Sequence, residues 1–501
     1  MQFKPDTAKS DLHCVAFGAR SQTRFFDLAL ARQLKERFGT TIHLYCSGPQ
    51  EVDFYSKHNV DGLFETVTDA SVIEMHAFDS DLDDAQVFER ARGFEERIGL
   101  TINRMIVPDR HFGRGYCLGG YYHPRSRRSE NTSYTQAVHA YCEALAFWET
   151  EFRGKGVTAC LNASREAANM ASEAGIPYRT LIASRFRNYH CWAVNPLYEN
   201  PEFERRWNEI AEVGDLAIDQ PYHAHLASRR NYLKHFSLRS MLRHLVITTM
   251  TYAYWNLRGY KKAKGYYYLS TMNYHLRTWL EYRRLRRLSK TKLDDMKGIR
   301  FVYYPLHMEP EAALHGISPE YFYQHALIAA VSRDLPAGVR LVVKEAFGNI
   351  GRRPANFYRQ IADLKNVVWL DCWEMGLDCA KQADAVVTIC GTVGLEAAVS
   401  GTPVIAFGQH NLYNFLPSVM VVNDERKLKS YLQKALFDAD LKARTQEDGG
   451  RLLQAIVDSS FDMGGYDYIR LQDFEQTAVQ AASAALEHSL GAVTPHEKTA
   501  D

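Results

Sequence analysis

The sequence predicts an α/β protein of two domains, with a basic helical segment between them. Three observations carry this. Strand–turn–helix–strand patterns open the chain and recur toward its C-terminal part. A chain of 501 residues is too long for one core. Between Arg229 and Lys292 stand sixteen Lys or Arg and a single acid, Glu281, although the whole chain is formally only +1. The expected divisions are 1–220, 221–297, 298–470 and a C-terminal helix and disordered tail over 471–501.

The stretch Ala383–Gly408 organises the second domain. Ala385–Ile389 is an apolar, β-branched run and reads as a buried strand. Gly391-Thr392 makes a sharp turn, Val393–Ser400 reads as a short helix, and Gly401 stands where a glycine cap belongs. Pro403 opens a second apolar run, Val404–Phe407. This is a βαβ unit with connections short enough for a parallel sheet. Its helix starts at the carboxyl end of a strand, where its first N–H groups and dipole favour a phosphate. Gly391 and Gly394 let the backbone approach that anion, and Thr392 stands at the helix start. Glu396, about a turn in, suits two vicinal hydroxyls such as those of a ribose. The plain alternative is an ordinary βαβ unit with Glu396 solvated.

These residues, G-T-x-G-L-E-A-A-x-x-G-x-P-V-I-x-F-G, resemble the donor-domain motif of bacterial surface-polysaccharide glycosyltransferases of the GT-B fold. The likeness is to the capsule polysaccharide biosynthesis group that includes Kdo transferases. Pro305-Leu-His-Met-Glu-Pro-Glu311 resembles that group's PLHxxPE segment. Lys344-Glu345, Gly351-Arg-Arg353 and Phe357-Tyr358 resemble its KEHP…GRR…FY segment. The likeness is firm over roughly residues 299–425. It departs where the group has His-Pro after Lys-Glu, since this chain has Ala346-Phe347. The resemblance implies two Rossmann-like domains facing a cleft, the donor on the C-terminal one and the acceptor on the N-terminal one.

The N-terminal domain begins with a strand, Leu12–Phe17, a turn at Gly18–Ser21, an amphipathic helix from Thr23 to Phe38 closed by Gly39, and a strand over Thr41–Cys46. Arg20 and Ser21 lie at the first strand's carboxyl end, where an acceptor would sit. Residues 65–98 read as acidic and helical. The apolar run from Ile102 reads as a strand ending at Pro108, followed by Asp109-Arg110-His111 in a loop. A carboxylate there is placed to act as general base, and the resemblance has an Asp-Arg pair at about this place. Ser133–Phe152 is a helix, Val157–Asn162 a strand, Ser164–Gly175 a helix and Ile176–Ala183 a strand. Ser184 and Arg185 follow, and the resemblance makes them acceptor-side residues.

The basic middle segment also holds nine tyrosines. A basic helix with Tyr and Trp at its apolar margin suits an anionic membrane surface. Nucleic acid is the rival partner, but no RRM, KH or zinc signature accompanies the charge. A plain solvated linker is the structural alternative.

In the C-terminal domain a strand over Arg300–Tyr304 delivers His307, Glu309 and Glu311 to one loop. His307 suits acid–base work or a phosphate, and the two glutamates suit sugar hydroxyls. A strand over Val339–Val343 delivers Lys344, a phosphate contact, and Glu345, a further donor-binding residue, to the same edge. After Asp424 three helices are expected, over Arg426–Asp438, Leu441–Val457 and Tyr468–His488, and the resemblance has the last one crossing back to the first domain.

A hydrophobic fraction of 46 % and a charged fraction of 24 % fit a globular protein. Nine scattered cysteines without CxxC spacing give no zinc or redox framework and fit a reducing cytoplasm. The N-terminus shows no apolar signal core, and the longest apolar candidate, Leu245–Trp255, is too short to span a bilayer. The expected protein is a cytoplasmic, membrane-peripheral glycosyltransferase taking CMP-Kdo or a UDP- or GDP-sugar. No cofactor or metal is expected, since no Asp-x-Asp motif stands in a suitable loop. A hydrolysing nucleotide-sugar 2-epimerase, a CDP-polyol phosphotransferase and a non-enzymatic capsule assembly protein are the alternatives.

Overall fold

A computed structural model describes residues 12–108, 132–214, 216–218, 222–257, 268–309, 312–318, 320–321, 323–354, 356–466 and 472–491. The chain forms two compact units. Asp109, Arg110 and Glu311 lie outside the described residues, as does the tail from 492.

The first unit opens with β1 (Cys14–Gly18), α1 (Arg24–Phe38) and β2 (Thr41–Cys46). Gly39 closes α1 in the left-handed region, φ 66°, and donates its N–H to the Lys35 carbonyl. α2 (Pro49–Lys57) leads to β3 (Thr66–Asp69), then α3 (Val72–His76) and α4 (Asp84–Ile98). The acidic stretch 65–98 thus contains a strand as well as helices. Thr-Val-Thr is short, and its β-branched signal is swamped by the helical pattern that follows. The expected strand from Ile102 is instead a one-turn helix, α5 (Ile102–Ile106), which buries Ile102, Met105 and Ile106. α6 (Tyr134–Lys155) starts at Ser133, whose hydroxyl accepts from the Gln136 N–H while the Gln136 side chain accepts from the Ser133 N–H. β4 (Ala159–Leu161), α7 (Arg165–Glu173), β5 (Tyr178–Ala183), β6 (Tyr189–Ala193) and α8 (Pro201–Glu209) follow.

The second unit starts with three helices, α9 (Tyr222–His235), α10 (Leu238–Leu257) and α11 (Tyr268–Leu288). Its sheet follows: β7 (Phe301–Pro305), α12 (Ala312–Ile317), α13 (Gln324–Asp334), β8 (Arg340–Lys344), α14 (Phe357–Ala362), β9 (Val367–Trp369), α15 (Gly376–Gln382), β10 (Ala385–Thr388), α16 (Thr392–Val399), β11 (Val404–Ala406) and β12 (Val419–Val421). α17 (Leu428–Phe437) and α18 (Ala439–Asp458) close it. From Gln454 the chain belongs to the first unit again, where the sequence placed this return at 471. There β13 (Phe461–Asp462) pairs antiparallel with β6, and α19 (Gln476–Gly491) buries Val479, Ala482 and Leu486 in the core that holds Val15, Phe17 and Leu44.

Both sheets are wound alike. The first runs β13-β6-β5-β4-β1-β2-β3, with β5, β6 and β13 joined antiparallel. The second runs β12-β11-β10-β7-β8-β9 and is parallel throughout. In each, strand order reverses beside the first strand, between β1 and β4 and between β7 and β10. That reversal splays the loops at the carboxyl edge and opens a crevice there.

The three helices before β7 are fixed to the second unit by aromatics. Tyr232 packs on Phe347 at 5.1 Å, and Tyr282 meets Trp373 edge-on at 6.3 Å. Arg286 pairs with Asp371 at 2.6 Å. Between the helices His244 stacks on His275 at 4.9 Å and lies 5.1 Å from His235. Burial, with His244 and His235 beside it, lowers His275 to about 4 from an ordinary 6.5. Between those values the unfolded chain binds a proton that the folded one refuses. This stabilising difference is intact above about 6.5 and lost as pH falls toward 4. The melting temperature should therefore drop on acidification through that window, and less steeply in His275→Phe; calorimetry across pH checks it.

Candidate functional site

The switch point of the second unit is built from the loops after β7, β8 and β10. The strands end in register: Pro305 is opposite Lys344, and Val386 opposite Tyr303. His307, two residues past β7, is buried and bridges the reversal. Its Nε2 accepts the Cys390 N–H at 3.2 Å and lies 3.2 Å from Thr388 Oγ1. A backbone amide only donates, so Nε2 is unprotonated and the proton of the neutral ring sits on Nδ1. His307 therefore pins the turn from which α16 starts.

One buried cation fixes this loop. Arg353 is fully buried and donates Nε and Nη2 to the two oxygens of Glu345, both at 2.8 Å, and Nη1 to Glu309 at 2.6 Å. Nη2 also donates to the His307 carbonyl at 2.7 Å. Gln324 adds a reciprocal pair, accepting the His307 N–H at 2.6 Å and donating to its carbonyl at 3.1 Å. Burial raises the Glu309 carboxyl, against the pull of Arg353. Tyr358, buried on α14 against Glu345, is pushed well above an ordinary phenol. Glu345 and Glu309 were expected to meet the donor. Here their carboxylates hold Arg353, and Glu345 is sealed from solvent.

Gly391 precedes α16, with its N–H donated to Thr388 Oγ1 at 3.3 Å. No side chain caps the helix, and the amides of Thr392 and Val393 meet no described acceptor. Two donors and the positive end of the helix dipole are thus left for an anion. The close approach needs glycine. A Cβ on Gly394 would lie 2.1 Å from Tyr413 Oη, and one on Gly391 would lie 3.1 Å from His307 Nε2. Tyr413 in turn donates to the Gly391 carbonyl at 3.4 Å. Asn411 ties the two strand-end turns together, donating to the carbonyls of Ile389 and Gly408 at 2.9 and 3.0 Å.

Glu396 is buried rather than solvated, and its charge helps burial raise the Tyr303 phenol beside it. Lys344 stands half-buried at the end of β8, one strand from His307, and its side chain makes no hydrogen bond or ion pair with a described residue. Its ammonium acts on the thiols of Cys372 and Cys379. Ala346-Phe347, the departure from the resembled motif, has a local use: Phe347 packs between Trp373 and Tyr232 of α9 at 4.4 and 5.1 Å.

The first unit's switch point is occupied differently. Arg20 donates to the Leu181 carbonyl at 3.1 Å and to buried Asp27 at 2.7 Å. Burial raises the Asp27 carboxyl although Arg20 and Thr23 oppose it. Ser21 is exposed. Asn162, missed in the sequence, ends β4 in the left-handed region and accepts the Leu181 N–H at 2.8 Å, while its buried Nδ2 meets no described acceptor. An Asn closing an apolar strand was the available signal. Ser184 is buried and donates to the Tyr189 carbonyl at 3.0 Å, shaping the β5–β6 hairpin, and Arg185 is exposed at its tip. The eight described cysteines are all free and buried, with burial raising Cys142 to about 11 and Cys46 to about 12. They are poor nucleophiles.

No protein-family model and no curated protein matches the chain. Solved structures do. One is the Thermosulfurimonas dismutans KpsC beta Kdo 2,7 transferase, 13 % identical, aligned over 58 % of this chain and 79 % of that one at a TM-score of 0.28. Another is CalG4, the calicheamicin glycosyltransferase, 11 % identical over 97 % of this chain and 100 % of that one, TM-score 0.29. A third is UDP-GlcNAc 2-epimerase from Neisseria meningitidis, 9 % identical over 89 % and 99 %, TM-score 0.23. Superpositions this loose carry no functional argument, so the reading rests on this chain's own residues.

Removing the buried cation while leaving Glu345 behind should cost about 3–5 kcal/mol. Arg353→Met is therefore expected to lower the melting temperature by roughly 10 °C, and Arg353→Lys by nearly as much, because an ammonium cannot reproduce the fork. Gly394→Ala should also destabilise, and Tyr413→Ala should restore part of that loss. Urea titration of the single and double variants measures both effects.

Proposed function

We propose that the protein is a GT-B glycosyltransferase that moves a sugar from a nucleotide-sugar to a surface polysaccharide or lipid-linked glycan. The supporting observation is the turn before α16. Two open amides and the helix dipole stand there, a buried glutamate follows on the same helix, and Lys344 ends β8, two strands along the same sheet edge.

In this reading the donor phosphate sits on the Thr392 and Val393 amides with Lys344 nearby, and Glu396 takes the ribose hydroxyls. As the bond between the anomeric carbon and the phosphate oxygen breaks, negative charge grows on the leaving phosphate. Fixed dipoles aimed at that oxygen lower the barrier without reorganising. His307 acts by holding the turn, and Arg353 by holding His307. Asp109 is assigned as the base for the acceptor hydroxyl, with Arg110 beside it and Asn162 added to the acceptor side. Catalysis is assigned to these groups without a metal, and the protein to the cytoplasm.

The turn also suits a nucleotide-sugar 2-epimerase, because that reaction too departs from a nucleoside diphosphate. Binding of CMP, CDP, UDP and GDP to wild type and Glu396→Ala tests the donor site by thermal shift. One nucleotide should raise the melting temperature by several degrees at saturating concentration and fail to do so in the variant. Stabilisation by none of the four would sink the reading. Release of UDP from UDP-GlcNAc without any acceptor would favour the epimerase.

A further inference from the structure

α10 and α11 leave a long apolar surface uncovered. They meet along one face, where His244 stacks on His275, Tyr252 on Tyr268 at 4.8 Å, and Thr249 Oγ1 lies 3.0 Å from Tyr268 Oη. Met241 and Thr248 are buried on that side. On the other side of α10, Leu238, Leu242, Val246, Met250, Tyr254 and Leu257 follow at spacings of four and three and are 47 % to 87 % exposed. Leu269, Leu276 and Leu280 of α11 add to the exposed apolar surface. The twenty residues of α10 make this stripe about 30 Å long.

The stripe runs among cations. Arg239 and Arg243 are exposed at the start of α10, as are Arg283, Arg284 and Arg287 at the end of α11. Arg283 lies over the Trp279 ring at 4.0 Å. The sequence from Arg229 to Lys292 holds one acid in all, and that acid, Glu281, is buried against Arg284. No helix among the described residues is long and apolar enough to cross a membrane. An apolar stripe that does not span, flanked by arginines and tyrosines, has the composition of a helix lying in the headgroup region.

We propose that the α10–α11 hairpin docks the protein on an anionic lipid bilayer, with the α10 stripe against the acyl chains and the arginines on lipid phosphates. The charge singles out this occupant. A second copy of the chain would set the same exposed arginines against this surface, whereas an anionic bilayer neutralises them. The proposal stands apart from the donor-site reading, since lipid binding requires no nucleotide.

The test is co-sedimentation of the full chain with phosphatidylglycerol–phosphatidylethanolamine vesicles, against phosphatidylcholine vesicles. The anionic vesicles should capture the protein and the neutral ones should not, with capture falling as NaCl rises. Met250→Glu/Leu257→Glu should weaken capture roughly tenfold or more, and so should Arg239→Gln/Arg243→Gln. All four side chains are exposed, so melting temperature and nucleotide binding should be unchanged. Absence of capture by anionic vesicles overturns the proposal. Equal capture of the variants does too. A dimer in sedimentation velocity that the glutamate variant dissolves, without vesicle binding, would give the stripe to a second copy instead.

Discussion

The second unit depends on placing the Arg353 guanidinium in a dry interior. A buried cation is tolerated where its nitrogens find acceptors, and Arg353 has four of its five N–H groups answered across the sheet edge. Glu345 comes from the loop after β8, and Glu309 and the His307 carbonyl from the loop after β7. The cation therefore fixes two strand-end loops at the reversal of strand order. The His307 ring then carries that constraint to the turn after β10 through the Cys390 amide. Of the two carboxylates around this guanidinium, Glu309 has its carboxyl raised, chiefly by burial and in a small part by the neighbouring Glu345 charge.

The two switch points share a strand order but not a chemistry. In the first unit the cation at the edge, Arg20, spends its two terminal nitrogens on Asp27 and the Leu181 carbonyl. In the second, the buried cation is structural, and a different one, Lys344, ends β8 with no described side-chain partner, two strands from the β10 turn. In the proposed reading, separating the cation that builds the loop from the one assigned to the donor phosphate lets the loop stay rigid whether or not an anion is bound. Had Arg353 itself been the phosphate contact, releasing product would have left a buried charge exposed to a poorer environment.

The sequence made the second unit's edge legible because its signals are local. An apolar run, a glycine turn and a glycine cap report on neighbours within a few residues, and β10, α16 and β11 lie close to where they were expected. The same holds for α1, from its amphipathic stripe to Gly39. What failed was decided by distant partners. The run at Ile102 is apolar over too few residues to separate strand from helix. β3 and β6 are strands because neighbouring strands bond them, not because their own pattern insists. Side-chain roles were least legible. Nothing local distinguishes a glutamate that binds a sugar from Glu345, which faces an arginine eight residues later.

The departure from the resembled motif at Ala346-Phe347 follows from the helical segment. A loop that carried only a ligand contact there would have no use for a large aromatic. This loop also anchors α9–α11, and Phe347 supplies the ring that sits against Trp373 and Tyr232, while Arg277 of α11 donates to the Arg353 carbonyl at 2.7 Å. Gly351 completes the contact: at φ 88°, it lies where a Cβ would come within 2.5 Å of Thr278 on α11. The basic helices are thus built onto the loop that follows Lys344 and holds Glu345 and Arg353. They meet the edge of the sheet through packed aromatic rings and the hydrogen bond from the Arg277 side chain to the Arg353 carbonyl.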